Sequence, residues 1–264
     1  MHPMLNIGIR AARAAGEIII RNLEQVSDIQ VHEKGLNDFV SEVDKKAEAV
    51  IIDTILKAYP RHSILAEESG HSGEGDYQWI IDPLDGTTNY LHGFPQFAVS
   101  IGLKHGGNLE QAVIYDPMRQ ELFTATRGSG AYMNNRRIRV SKRKELNGAL
   151  LGTGFPFGNN YKLEVFIKTF RALFPVAAGI RRAGAAALDL AYVASGRLDG
   201  FWEYGLKPWD MAAGALLIQE AGGIVTSINN DSNFMKSDNI LTANTKLHEV
   251  MVKVLATSLA ESQQ

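Results

Sequence analysis

The amino-acid sequence predicts an α+β fold of stacked helical and sheet layers, and three observations carry that reading. Amphipathic helical segments lead the chain, a block of antiparallel strands follows, and strands then alternate with helices from about residue 149 onward. Elements that each own one apolar face bury those faces by stacking into layers. A chain of 264 residues can bury a large core, as one domain or as two coupled halves. The basic run Arg136 to Lys144, followed by Glu145-Leu146-Asn147-Gly148, is the best boundary. It divides one compact unit into halves at 1–145 and 146–264.

In the first half, Leu5, Ile9, Ala12, Gly16, Ile19 and Leu23 recur at steps of three and four, which predicts a helix over 4–24. Glu33 to Asp38 is polar and contains glycine, as in a loop or hairpin. A second helix runs from Asp44 to Tyr59 and is closed by Pro60. Glu42 and Asp44 stand at its start, where acids suit the positive helix end. His62 to Ala66 reads as a strand ending in Glu67-Glu68-Ser69-Gly70, and 70–77 as a glycine-rich surface loop. Phe97–Lys104, Leu109–Tyr115 and Glu121–Thr126 read as an antiparallel meander between turn signals. Asn134-Asn135 makes a tight turn before a strand at Ile138–Val140.

The second half begins with a strand at Ala149–Thr153 and a helix over Tyr161–Phe174, stopped by Pro175. A short strand at Gly179–Arg182 and a helix over Ala183–Ser195 follow, then a strand at Asp199–Glu203. The helix Trp209–Ala221 ends at Gly222-Gly223, a C-terminal glycine signal. Strands at Ile224–Ser227 and Ile240–Ala243 precede a last helix over 245–260.

Composition narrows the function classes. Apolar residues make up 45% and charged residues 21% of the chain, as in ordinary soluble globular enzymes. A formal charge of −2 gives no global attraction to nucleic acid or to an anionic membrane. The absence of cysteine excludes disulfides, thiolate zinc sites and cysteine nucleophiles. MHPMLNIGIR lacks the basic start and apolar stretch of a secretory signal. No apolar run approaches the ~18 residues that cross a bilayer. The expectation is a soluble cytoplasmic protein without membrane contact. Six basic residues in Arg136–Lys144 invite an RNA contact, but no aromatic residues are interleaved to stack bases, and the run reads as a solvated hairpin and linker.

The chemistry centres on WIIDPLDGTTNY at 79–90. Trp79, Ile80 and Ile81 form the buried end of a strand that delivers Asp82 and Asp85 into a turn with Gly86, Thr87, Thr88 and Asn89. Fixed oxygens followed by a turn whose amides point one way can hold hard cations and a phosphate together. Mg²⁺ asks for oxygen ligands, such as two or three carboxylates and the Leu84 carbonyl, and needs neither sulfur nor imidazole. None of the seven histidines stands in ligand spacing, so all are read as structural. Glu67-Glu68, Asp44 and Asp210 also sit at strand ends or helix starts. Each acid alone has a local explanation, and their combination is the signal. No Walker-type loop and no G-x-S-x-G elbow occurs. DPLDGTTN carries its acids at i, i+3 inside the chain, unlike the D-x-D of phosphatases that form an aspartyl-phosphate.

Four ordered motifs carry a resemblance. WIIDPLDGTTNY at 79–90 is similar to W-[VI]-[IVL]-D-P-[ILV]-D-G-T-x-N-[FY]. WDMAAGALLIQEAGG at 209–223 is similar to W-D-x-A-A-G ending in A-G-G. Glu67-Glu68-Ser69 matches an E-E-S element, and K-G-x-x-D-x-V-S-x-x-D at 34–44 matches an N-terminal K-x-x-x-D-x-V-[TS]-x-x-D. Over nearly the whole chain this resembles the inositol monophosphatases of the lithium-sensitive, Mg²⁺-dependent sugar-phosphatase superfamily, and most of all their bacterial inositol-1-monophosphatase branch.

The resemblance implies a layered αβαβα sandwich of the sugar-phosphatase type, with the main metal motifs in the first half and the second half completing the site. It implies a homodimer and two to three Mg²⁺ ions. Glu67, Asp82 and the Leu84 carbonyl would hold the first ion, and Asp82, Asp85 and Asp210 the second. Glu67 would serve a third through water. Asp44 and Thr87 would orient and deprotonate the attacking water, and the amides of Gly86 and Thr87 would meet the phosphate. Asp85, Gly184, Ala185, Ala186, Glu203 and Asp210 would hold the sugar, with Arg181 nearby. Position 185 is alanine where relatives often carry Ser or Thr, which removes a hydroxyl from sugar recognition. The implied activity is hydrolysis of myo-inositol 1-phosphate or a related polyol phosphate. Its rivals are fructose-1,6-bisphosphate, NADP or 3′-phosphoadenosine 5′-phosphate as substrate, and a non-enzymatic contact with RNA or the transcription machinery.

Overall fold

The computed structural model describes residues 2–23, 31–35, 38–156 and 160–260. Leu36 and Asn37 of the 34–44 motif lie outside the described residues, as do the side chains from Lys34 to Val40.

Helix α1 (Pro3–Leu23) turns Leu5, Ile9, Ala12, Ala15 and Ile19 inward, the face its periodicity predicts. Strands β1 (Val31–Gly35) and β2 (Asp38–Ser41) form a hairpin that feeds α2 (Glu42–Ala58). The two helices cover one face of an eight-stranded sheet. In chain order its strands are β3 (Ser63–Ala66), β4 (Gly70–Ser72), β5 (Tyr77–Asp85), β6 (Ala98–His105), β7 (Asn108–Asp116), β8 (Glu121–Thr126), β9 (Gly130–Met133) and β10 (Arg136–Arg137). Their order across the sheet is β10-β9-β8-β7-β6-β5-β3-β4. Only the β3–β5 pair is parallel among these. Short α3 (Thr87–Leu91) follows β5.

A five-stranded sheet is built from β11 (Leu150–Thr153), β12 (Gly179–Arg181), β13 (Gly200–Tyr204), β14 (Gly223–Thr226) and β15 (Asn239–Asn244), in the order β12-β11-β13-β15-β14. Helices α5 (Ala186–Ala194) and α6 (Pro208–Glu220) lie between the sheets. Their Leu188, Leu190, Met211 and Leu217 share one core with Ala112 and Phe123 of the first sheet and Phe201 and Ile240 of the second. Helices α4 (Asn160–Leu173) and α7 (Thr245–Ala260) close the outer face around Phe166, Trp202, Leu241 and Met251. The result is five layers, αβαβα.

Three expectations are corrected. The 70–77 loop contains β4, because Gly70 at φ 73° turns the chain back to pair Gly70–Ser72 with Ala66–Ile64. The strand after the Asn134-Asn135 turn is Arg136–Arg137, paired with Met133 and Tyr132. Ile138–Val140 is not a strand and crosses instead to Ala221, whose carbonyl accepts from Val140 N. The helix expected from Ala183 starts at Ala186, since Gly184 sits at φ 84° and Ala185 is extended. A left-handed residue cannot open a right-handed helix.

Candidate metal and phosphate site

Strand β5 carries the centre of the site. Side chains alternate across a strand, so residues i and i+3 ordinarily face opposite sides. Here Asp82 pairs with Ser100 and Asp85 with Ala98, so that Pro83 and Leu84 together oppose the single residue Val99. This β-bulge at Pro83-Leu84 returns both acids to one face, toward α5 and α6. Proline, which cannot donate to a ladder, is accommodated at such a break. Because β3 runs parallel to β5 with Ala66 beside Ile81, the two strands end together and Glu67 emerges next to Asp82. Glu67 N donates to the Ile81 carbonyl at 3.1 Å. The start of α6 brings Asp210 to the same place, with Ser100 Oγ donating to the Trp209 carbonyl at 3.3 Å.

The electrostatics follow from this crowding. Asp82 is pushed well above the usual carboxylate range by burial first, then by Glu67, Asp85 and Asp210, against one amide bond from Leu84. Asp85 is raised to about 7 by burial, partly offset by hydrogen bonds from Ala187, Ala186 and Leu188. Among the described residues no three His, Asp or Glu side chains are gathered in metal-holding geometry. The acids rest on backbone amides instead: Asp82 Oδ1 accepts from Leu84 N at 2.9 Å, Asp85 Oδ2 from Ala187 N and Asp210 Oδ2 from Lys207 N, each at 2.7 Å. Buried carboxylates that repel one another need a counter-charge to stay ionised together, and hard oxygen donors suit Mg²⁺. The donor set therefore fits a divalent cation.

Asp44 has two tasks. Its Oδ2 accepts from Ser41 N at 2.9 Å, closing a capping box at the start of α2. Its Oδ1 lies 2.8 Å from Thr87 Oγ1, which is also 3.0 Å from the Leu84 carbonyl. Burial pushes Asp44 up, and bonds from Ser41 and Thr87 pull it back. Gly86, at φ 91°, joins β5 to α3, and a Cβ there would stand 2.8 Å from the Gln96 carbonyl. Only glycine fits.

The far wall comes from the second half. Asn89 Nδ2 lies 2.8 Å from the Gln96 carbonyl, 2.9 Å from that of Ala183 and 3.2 Å from that of Gly184, tying the turn before α5 to the first half. Ala185 offers no side-chain cap to α5, and Asp85 from β5 supplies one. Glu203 on β13 is raised well above its usual range by burial and then by Asp189, Asp210 and Asp85. A Cβ on Gly154 would collide with its carboxyl group, so that glycine makes room for it. Arg181 is exposed, with its guanidinium on the Ile180 carbonyl. The arginine near Asp189 and Glu203 is Arg182, stacked 4.7 Å over Phe155.

Sequence reasoning passed over Arg182, Glu48 and Asp189. Glu48 on α2 is 3% exposed and accepts from Glu68 N at 2.8 Å and Ser69 N at 2.9 Å, fixing the turn that presents Glu67. Asp189 is buried in α5, its carboxyl pushed up by burial and by Asp85. A lone acid inside the apolar stretch AAALDLAYVA was the available signal for it.

The αβαβα frame, with acids that repel one another at the ends of β3 and β5, is that of the sugar-phosphatase class. The sequence model of the inositol monophosphatase family matches residues 1–263, and the chain belongs to that family. It is similar to "Nus factor SuhB" of Pseudomonas aeruginosa, 56% identical and covering 99% of both chains. Among solved structures it resembles the extragenic suppressor protein SuhB of Bartonella henselae, with TM-score 0.94 and 44% identity over 96% of this chain and 98% of that one. It also resembles the inositol monophosphatase of Anabaena, with TM-score 0.84 and 42% identity over 96% and 95%. Among the described residues no helix is long and apolar enough to cross a membrane.

Proposed function

We propose that the protein is a Mg²⁺-dependent phosphomonoesterase that hydrolyses myo-inositol 1-phosphate or a related polyol phosphate. The observation that carries this reading is the bulge that sets Asp82 and Asp85 on one face beside Glu67 and Asp210. Glu67, Asp82, Asp85, Asp210 and the Leu84 carbonyl would hold two to three ions. When bound, Mg²⁺ supplies a water of lowered pKa and neutralises charge on the leaving oxygen. Thr87 Oγ1 passes its proton toward Asp44 Oδ1 and turns a lone pair to the attacking water, for which the 2.8 Å contact is already made. The amides of Gly86 and Thr87 meet the phosphate. Asp85, Gly184, Ala185, Ala186 and Glu203 surround the polyol, and Arg182 takes the place expected for Arg181.

Asp82→Asn and Asp210→Asn test this. Each should nearly abolish Mg²⁺-dependent phosphate release from inositol 1-phosphate while melting, in EDTA, no lower than the wild type, because each relieves repulsion among buried acids. Turnover near the wild-type rate in either variant would remove the metal assignment. Faster release from fructose-1,6-bisphosphate, NADP or 3′-phosphoadenosine 5′-phosphate would move the substrate and leave the metal site standing.

A second role, contact with RNA or the transcription machinery, draws support from the name "Nus factor" carried by relatives. Arg136, Arg137 and Arg139 are exposed at the edge of the first sheet, away from the acids. Salt-sensitive RNA binding that vanishes when these three are neutralised is the expected result. No binding at low salt would remove this role.

A further inference from the structure

The first sheet is left partly uncovered on its α6 face. A row of register partners crosses it there: Lys104 pairs with Gln78 on one side and Leu109 on the other, while Leu65 pairs with Ile80. These five residues floor a cleft of about 460 Å³, walled by the end of α6 (Leu216, Gln219) and by the segment 232–236 with Phe234 and Lys236. Its volume lies in the range of small-molecule sites, roughly 300–1,000 Å³. It opens beyond Pro208 and shares no residue with the acid cluster.

The lining has a definite chemistry. Leu65, Ile80, Leu109, Leu216 and Phe234 supply an apolar floor and wall. Lys104, Arg127 and Lys236 stand around it, and the acid among the lining residues, Glu220, is already committed. Its two oxygens accept from Gly128 N and Gly130 N, each at 2.7 Å. Arg127 reaches Glu110 at 3.5 Å, whereas Lys104 and Lys236 make no ion pair among the described residues. In a chain of net charge −2 this is a local positive excess beside apolar surface. The side-chain amides of Gln78, Asn108, Gln219 and Asn233 add paired donors and acceptors of the kind that read the edge of a heterocycle.

We infer that this cleft is a second binding site, separate from the acid cluster, for a free mononucleotide whose base lies on the apolar floor and whose phosphate meets Lys104 and Lys236. Neither lysine belongs to the proposed catalytic machinery, so the site can be emptied without touching catalysis.

The test uses the full chain, AMP as the probe, and isothermal titration without Mg²⁺. Saturable binding is expected, weakened about tenfold or more in the double variant Lys104→Glu/Lys236→Glu. Phosphate release from inositol 1-phosphate by that variant should match the wild type. Ribose 5-phosphate, which lacks the base, should bind at least about tenfold more weakly than AMP. Three results would each overturn the inference: no saturable AMP binding, equal AMP affinity in wild type and double variant, or ribose 5-phosphate binding as tightly as AMP.

Discussion

Glu48 touches no proposed ligand of metal or sugar, yet both its oxygens are spent on the amides of Glu68 and Ser69. Replacing it with alanine strands two donors in a partly buried turn, at a cost of about 2 kcal/mol or more. The turn also presents Glu67, so loss of stability should come with a raised Mg²⁺ requirement. Glu48→Ala is therefore expected to unfold at lower urea and to need several-fold more Mg²⁺ for half-maximal phosphate release. Glu48→Gln, which keeps one acceptor, should fall between. An alanine variant with an unchanged Mg²⁺ titration would show that the turn holds Glu67 without help. None of this was legible in the sequence, where Glu48 is one charge among several on an amphipathic helix. The same blindness separates Arg181 from Arg182, because which of two adjacent arginines faces the acids depends on the pairing of β12 at the sheet edge.

At the scale of elements, the acids of WIIDPLDGTTNY stood out in the sequence, but their meeting did not. Three-residue spacing on a strand would separate them. The bulge against Ser100 and Ala98 reunites them, and it exists only once β6 is in place. Short elements were missed for a related reason. β4 and β10 are three and two residues long and exist by pairing with β3 and β9, which no local periodicity announces. Long elements declared themselves: α1 through the 3.6 period of its one buried face, and β6 to β8, buried on both faces over most of their length, through apolar runs bounded by turn signals. The late start of α5 was written in Gly184, whose left-handed backbone is fixed by the Asn89 contacts across 95 residues of chain.

Across the whole molecule, groups outside the site also set the response to acid. His248 lies on α7 in the outermost layer, 4% exposed, with Nε2 2.9 Å from Thr226 Oγ1 on β14. Burial lowers its pKa below the ordinary 6.5, an effect only partly countered by Glu249. Between the folded and unfolded values the unfolded chain binds a proton that the folded chain refuses, so stability rises with pH through that window. This contribution is complete above about pH 6.5 and is lost as pH falls toward the folded pKa. His62 acts in the same direction. It is stacked between Tyr59 and Tyr77 at 4.6 and 4.8 Å, its Nδ1 accepts from Trp79 Nε1, and burial lowers its pKa first, then the charge of His105. The expected outcome is that His248→Gln, which can still bond Thr226, loses less stability than the wild type between pH 7 and 5 in urea unfolding with EDTA. The carboxylates of the site respond oppositely, since burial and mutual repulsion raise Asp82 and Asp85, and acid relieves them. The histidine effect is therefore isolated by the difference between variant and wild type, in which the acids cancel. Equal acid losses in the two proteins would show that His248 accepts its proton within the folded layer.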